Sequence, residues 1–243
     1  MAITDKEKGV WGLDQVYNKI NQGSIWEYTG MSGLWSWGYN SKGQQGQNSP
    51  TAYYSSPTQV GSDPFVHISK GYFEARYYLA TTSGGKMYSW GWNNKGQLGQ
   101  NDDTGDGKSS PIQIGSDTTW NHGCHGSNSS VAVKTDGTLW SWGYNGFGQL
   151  GQNSQSENVT YSSPVQIPGT TWTTSMGLLN GEDRFVLVGK TDGTIWGWGS
   201  NIQGQLGQNN RTAYSSPVQV GSGSWGTTSI SGNVYASAFT GQL

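Results

Sequence analysis

LWSWGYNGFGQLGQN, residues 139–153, is the stretch that decides the fold. Three further segments repeat it: LWSWGYNSKGQQGQN (34–48), MYSWGWNNKGQLGQN (87–101) and IWGWGSNIQGQLGQN (195–209). The last Trp-Gly pair of each copy begins at Trp37, Trp90, Trp142 and Trp198, so the copies stand 53, 52 and 56 residues apart. A second landmark follows each one: YSSP at 54–57, KSSP at 108–111, and YSSP at 161–164 and 214–217. A short alternating run comes next: TQVGS, IQIGS, VQIPG or VQVGS. Four matched landmarks at near-constant offsets establish an internal repeat.

A unit of about 53 residues is too long for one hairpin and suits four short strands, one blade of a β-propeller. In the third copy Val131–Lys134 alternates with period two, and Asp136-Gly137 is a hairpin turn signal. TLWSWG (138–143) returns as a strand, and Val165–Ile167 supplies another after Pro164. Glycine interrupts every copy and no helical period is present, which argues against helical blades. The predicted fold is therefore all-β, a four-bladed propeller over residues 31–243.

The final stretch, SGNVYASAFTGQL (231–243), resembles the first half of a repeat, such as NSSVAVKTDG. The first copy has no such half before it. The strand around Val234–Phe239 is therefore expected to pair with Leu34–Trp37 and close the ring, within one chain or between chains. Closure would remove open sheet edges that invite aggregation.

Residues 1–30 lie outside the repeats. Thr4-Asp5-Lys6-Glu7 has the pattern of a capping box. Leu13, Val16, Tyr17 and Ile20 fall at helical spacing before Gly23. A short amphipathic helix is expected within 5–22. With Trp11, its apolar residues either pack on the propeller or anchor the chain to a partner.

Composition narrows the function classes. Charged residues are only 12% of the chain and the net charge is −2, so there is no general pull toward nucleic acid or anionic lipid. No stretch approaches the roughly 20 apolar residues of a membrane-spanning helix. The opening MAITDKEKGVWGLDQ lacks the apolar run of a secretory signal. Cys124 is the single cysteine, which excludes an internal disulfide.

The W-G-x-N-x-x-G-Q-L-G segment at Trp90–Gly99, Trp142–Gly151 and Trp198–Gly207 resembles the repeat of the regulator of chromosome condensation family. The resemblance covers about residues 31–243 and implies blades completed across repeat boundaries. Founding members have seven repeats where this chain has four, and Gln45 stands where the other copies have leucine. Their nucleotide-exchange activity depends on a projecting loop, and these near-uniform repeats hold no equivalent insertion. The leader ITDKEKGVWGLDQVYNKINQGSIWEYTG (3–30) is similar to structural proteins of tailed marine bacteriophages. That second resemblance implies a virion component, docked through its leader on other virion proteins or on itself and displaying the propeller toward a host-surface glycan or protein. The alternative is a free lectin-like or protein-binding propeller.

Catalysis and metal binding find little support. No G-x-S-x-G elbow, P-loop or dinucleotide fingerprint is present. His122, Cys124 and His125 occur in one copy only, and Asp102, Asp103 and Asp106 lack the spacing of a calcium loop. No cofactor, metal or nucleic acid is expected. The candidate ligand residues are those that recur around the ring: Asn40, Asn93, Asn145 and Asn201, with Trp35, Tyr88, Trp140 and Trp196. Aromatic platforms with amides suit sugars or peptides. The competing role is structural: amides that satisfy turn backbone and indoles that fill the space between blades.

Overall fold

The computed structural model describes residues 33–50, 53–71, 76–105, 107–157, 159–181, 184–225, 230–232 and 237–239. The expected helix and its residues Trp11, Leu13, Val16, Tyr17 and Ile20 lie outside them. Every regular element among the described residues is a strand.

The chain begins with a two-stranded antiparallel sheet, β1 (Leu34–Tyr39) and β2 (Tyr53–Val60). β3 (Phe65–Ile68) opens the first complete blade, and β4 (Lys70–Gly71) adds in parallel to the next sheet. β5 (Tyr77–Thr82), β6 (Met87–Gly91) and β7 (Lys108–Gln113) complete the blade in the order β3-β5-β6-β7. The second complete blade is β8 (Trp120–His125), β9 (Ser129–Lys134), β10 (Leu139–Tyr144) and β11 (Thr160–Ile167). The third is β12 (Trp172–Gly181), β13 (Phe185–Lys190), β14 (Ile195–Gly199) and β15 (Tyr214–Gln219). β16 (Ile230–Gly232) and β17 (Ser237–Phe239) form a final two-stranded sheet.

Local chemistry explains these elements. At the tip of the β9–β10 hairpin, Gly137 takes φ +78° and its N–H donates to the Lys134 carbonyl. Asp136 accepts from both N–H and hydroxyl of Thr138, and Asp192 repeats this with Thr194. Such Asx turns hold both carboxyls below the ordinary aspartate range, chiefly through the threonine hydroxyl. The strands β9 and β13 are buried along nearly their whole length. Both their faces are covered, so they carry apolar runs rather than strict alternation.

The core lies between blades. Trp90, Trp142 and Trp198 are almost fully buried. Each donates its Nε1–H to a carbonyl of the preceding repeat: Gln44, Gln97 and Gln149, at 2.9, 2.8 and 2.9 Å. A bulge between Ser141 and Gly143 sets the position of Trp142 on β10. A tryptophan buried with its N–H satisfied stabilises a joint by about 3–5 kcal/mol, judged by truncation to alanine.

Both halves of the expected closing blade are present, but the ladder between them is not formed among the described residues. β1 pairs with β2 and β17 pairs with β16, as two separate sheets. Of the strand expected around Val234–Phe239 to pair with Leu34–Trp37, residues 234–236 lie outside the described residues. Each half is locally complete, because its hairpin partner is adjacent in sequence. The joining ladder requires the two most distant segments of the repeat region.

Candidate functional site

The four recurrent asparagines belong to the turns, not to a ligand surface. Asn40, Asn93, Asn145 and Asn201 are fully buried. Each Oδ1 accepts the N–H of the residue five positions on: Gln45, Leu98, Leu150 and Leu206. Each Nδ2 donates to a carbonyl nine positions on, from Ser49 to Asn210. One side chain thus pins both ends of the loop that follows its strand, since buried backbone groups must find partners. The expected ligand role of these four is replaced by this structural one.

The four aromatics lie within the strands that precede those asparagines, β1, β6, β10 and β14. Trp140 and Trp196 are half-buried and donate Nε1–H to Thr138 and Thr194. Tyr88 donates its hydroxyl to Asp63, and Trp35 is 45% exposed. They occupy equivalent positions in successive blades and do not converge on one site.

One of them, Trp196, lines a cleft of about 400 Å³ between the second and third complete blades. Trp172, Lys190, Gly169 and Gln152 line it too. The Lys190 ammonium lies over both indoles, 4.5 Å from the Trp172 ring centre and 4.2 Å from that of Trp196. The two rings meet edge to face at 6.2 Å. The cage therefore already holds its own cation.

The preceding blade builds the same cage with one addition. Lys134 lies 4.7 Å from the Trp120 ring and 4.0 Å from that of Trp140. There Asp117 closes the cation from outside as an ion pair. Asp117 also accepts from the N–H and hydroxyl of Thr119. The Lys134 bond is the main cause that lowers the Asp117 carboxyl to about 2. In the next blade the connection is one residue shorter, and Gly169 stands where Asp117 would. A Cβ on Gly169 would lie 4.0 Å from Lys190 Nζ. Among the described residues Lys190 has no carboxylate within ion-pair distance.

Trp172, Lys190 and Gly169 were not singled out from the sequence. The signal was available: aligned copies read GSDTTW (115–120) and PGTTW (168–172), with the aspartate missing from the second.

The other candidates stay local. His67 and His122 meet edge to face at 5.3 Å, and Cys124 is buried. His125 is buried against Tyr77, and burial lowers its imidazole to about 4. Asp102 is occupied by Lys108 at 2.9 Å. Among the described residues no group of three His, Cys, Asp or Glu side chains could hold a metal ion. No described helix is long and apolar enough to cross a membrane.

Tandem four-stranded sheets joined by buried indoles define a β-propeller of sequence repeats. The model of the Regulator of chromosome condensation (RCC1) repeat matches residues 84–133, 136–176 and 192–235, and the chain belongs to that family. It is 28% identical over 196 residues to the Ultraviolet-B receptor UVR8 of Arabidopsis thaliana, covering 76% of this chain and 41% of that one. It therefore spans under half the length of this relative. Among solved structures, human WBSCR16 superposes with a TM-score of 0.70 at 19% identity, over 87% of this chain and 54% of that one. Prp20p of Saccharomyces cerevisiae superposes with a TM-score of 0.68 at 16% identity, over 87% and 52%. These two likenesses establish the fold.

Proposed function

We propose that the chain is a protein-binding propeller that receives an acidic segment of a partner in the cleft of Trp172, Lys190 and Trp196. The observation that carries this reading is the Lys190 cation, aligned by two indoles and lacking the carboxylate that Asp117 gives Lys134. A partner's Asp or Glu would take the place of that carboxylate, and adjacent apolar groups would contact the Trp172 and Trp196 rings. Charge-assisted hydrogen bonds of this kind contribute about 1.5–3 kcal/mol. Prp20p, of the same fold, has binding properties to Gsp1p and histones, which supports a protein-binding role. In this reading the module acts by binding, and its recurrent polar side chains hold turns.

The test is titration of the full chain with a glutamate-rich peptide, followed by indole fluorescence. Lys190→Met should weaken binding about ten- to a hundredfold, in keeping with the loss of one charge-assisted bond. Added salt should weaken wild-type binding, because the contact is partly solvated. Equal affinity of wild type and Lys190→Met would sink the reading.

Display of this module on a viral particle is a separate proposal, resting on the resemblance of residues 3–30 alone. Normal incorporation of chains lacking residues 1–30 into particles would end it.

A further inference from the structure

The connection that leads into β12 departs from its three counterparts at one position. Gly61, Gly115 and Gly221 end the runs TQVG (58–61), IQIG (112–115) and VQVG (218–221), and all three take positive φ, 61°, 59° and 68°. In VQIP (165–168) that place is held by Pro168, whose ring fixes φ at about −65°. The chain after Ile167 therefore follows another path. Positive φ passes to Gly169, at 99°, and to Thr171, at 70°, a value that a β-branched residue rarely adopts.

That path decides what the next indole can bond. In the last copy, Trp225 Nε1 donates to the Val220 carbonyl, five residues back, at 2.9 Å. Trp172 stands at the same interval from Ile167, yet its Nε1–H is buried with no hydrogen-bond partner among the described residues. Trp172 is only 2% exposed, and a buried donor left unpaired is costly. Gly169 beside it is exposed and lines the cleft. A Cβ on Gly169 would lie 3.6 Å from Trp172 Nε1 and 4.0 Å from Lys190 Nζ. The bare glycine thus leaves one space that faces two donors, one of them charged. Trp120 Nε1 is also without a partner, but in that cleft Lys134 has Asp117, whose carboxylate also accepts from Thr119.

We infer that Trp172 sets the specificity of the Lys190 cleft: its indole N–H and the Lys190 ammonium together hold the two oxygens of one carboxylate seated over Gly169. This rests on the function proposed above and narrows its ligand. An ionised carboxylate only accepts, so it answers both donors; a carboxamide turns its own N–H group toward one of them. The cleft therefore selects Glu or Asp over Gln or Asn by hydrogen bonding as well as by charge. Pro168 contributes from outside the contact, by keeping the indole N–H from the carbonyl that its counterpart in the last copy uses.

The test is nuclear magnetic resonance of the full chain, isotope-labelled at its tryptophan nitrogens and titrated with a glutamate-rich peptide or its glutamine counterpart. The Trp172 Nε1–H resonance, identified by its loss in Trp172→Phe or Trp172→Tyr, should move downfield with the glutamate peptide and stay in place with the glutamine one. The Trp198 resonance should not move, because its N–H already has the Gln149 carbonyl. Trp172→Phe, which keeps an aromatic wall, should weaken binding about tenfold. Pro168→Gly, which restores the glycine of the other copies, should weaken it too. If Lys190→Met weakens binding while the wild-type Trp172 resonance stays still, the acidic-partner reading stands and this inference falls. If the glutamate peptide does not bind the wild type, both fall. A Trp172→Phe chain that binds as tightly as the wild type also overturns the inference.

Discussion

The cleft at Lys134 and the cleft at Lys190 are built from the same parts, yet only one is closed. In each, a lysine spans two tryptophans that meet edge to face. Asp117 caps the first, and Gly169 leaves the second open. Tandem repeats give this protein two near-identical cages, and a single residue in a connecting loop decides which lysine has a carboxylate partner. The half-exposed side chain of Asp117 makes its ion pair a weak stabiliser, so its loss from the second cleft costs little.

The largest effect is expected at the blade joint beside the Lys134 cleft, where Trp142 meets Trp120. Trp142→Ala removes a buried indole and its bond to Gln97, and should lower unfolding free energy by about 3–5 kcal/mol in a urea titration. If both clefts are equivalent scaffolds, Trp198→Ala should cost the same within the spread of such values.

Acid should act first on the blade that holds the closed cleft. His125 is buried there and held neutral, lowered to about 4 from an ordinary 6.5. The unfolded chain binds a proton that the folded chain refuses. Stability should therefore be intact above about pH 6.5 and fall as pH drops toward 4, by on the order of 3 kcal/mol at most. His125→Phe should flatten that part of a stability–pH curve, and an unchanged slope would show that another group is responsible.

Opening the closed cleft is the most direct way to break the contrast. Asp117→Ala should change stability by less than about 1 kcal/mol. Calorimetry should then count two sites for the glutamate-rich peptide instead of one. A count that stays at one would mean that the ion pair is not what separates the clefts. The smallest effect is expected at Trp35. It is 45% exposed on the unjoined half-blade, so Trp35→Ala should cost the isolated chain under about 1 kcal/mol.

The repeat carried most of the fold openly. The Trp-Gly steps, the Asp136-Gly137 turn and the alternation of Val131–Lys134 are local, and all three correspond to observed elements. Period two puts Trp140 and Trp142 on the same face of β10, where both meet Trp120, but does not show which loop of a neighbouring blade that face reaches. That depends on the Gln97 loop, far away in sequence. For the same reason the asparagines could be read as turn or ligand residues until both ends of each amide were placed. The Lys190 cage draws on Trp172, Lys190 and Trp196, which no single motif spans. Its only trace in the sequence is a missing residue, visible when the copies are aligned with one another.

Because every joint uses side chains from just two adjoining blades, stability here is a sum of nearest-neighbour terms. Such a chain tolerates duplication: an inserted unit of about 53 residues brings its own indole, its own glycine seat and its own asparagine clamp. Blade number then becomes a quantity that gene duplication can alter in whole steps, with no redesign of the units already present.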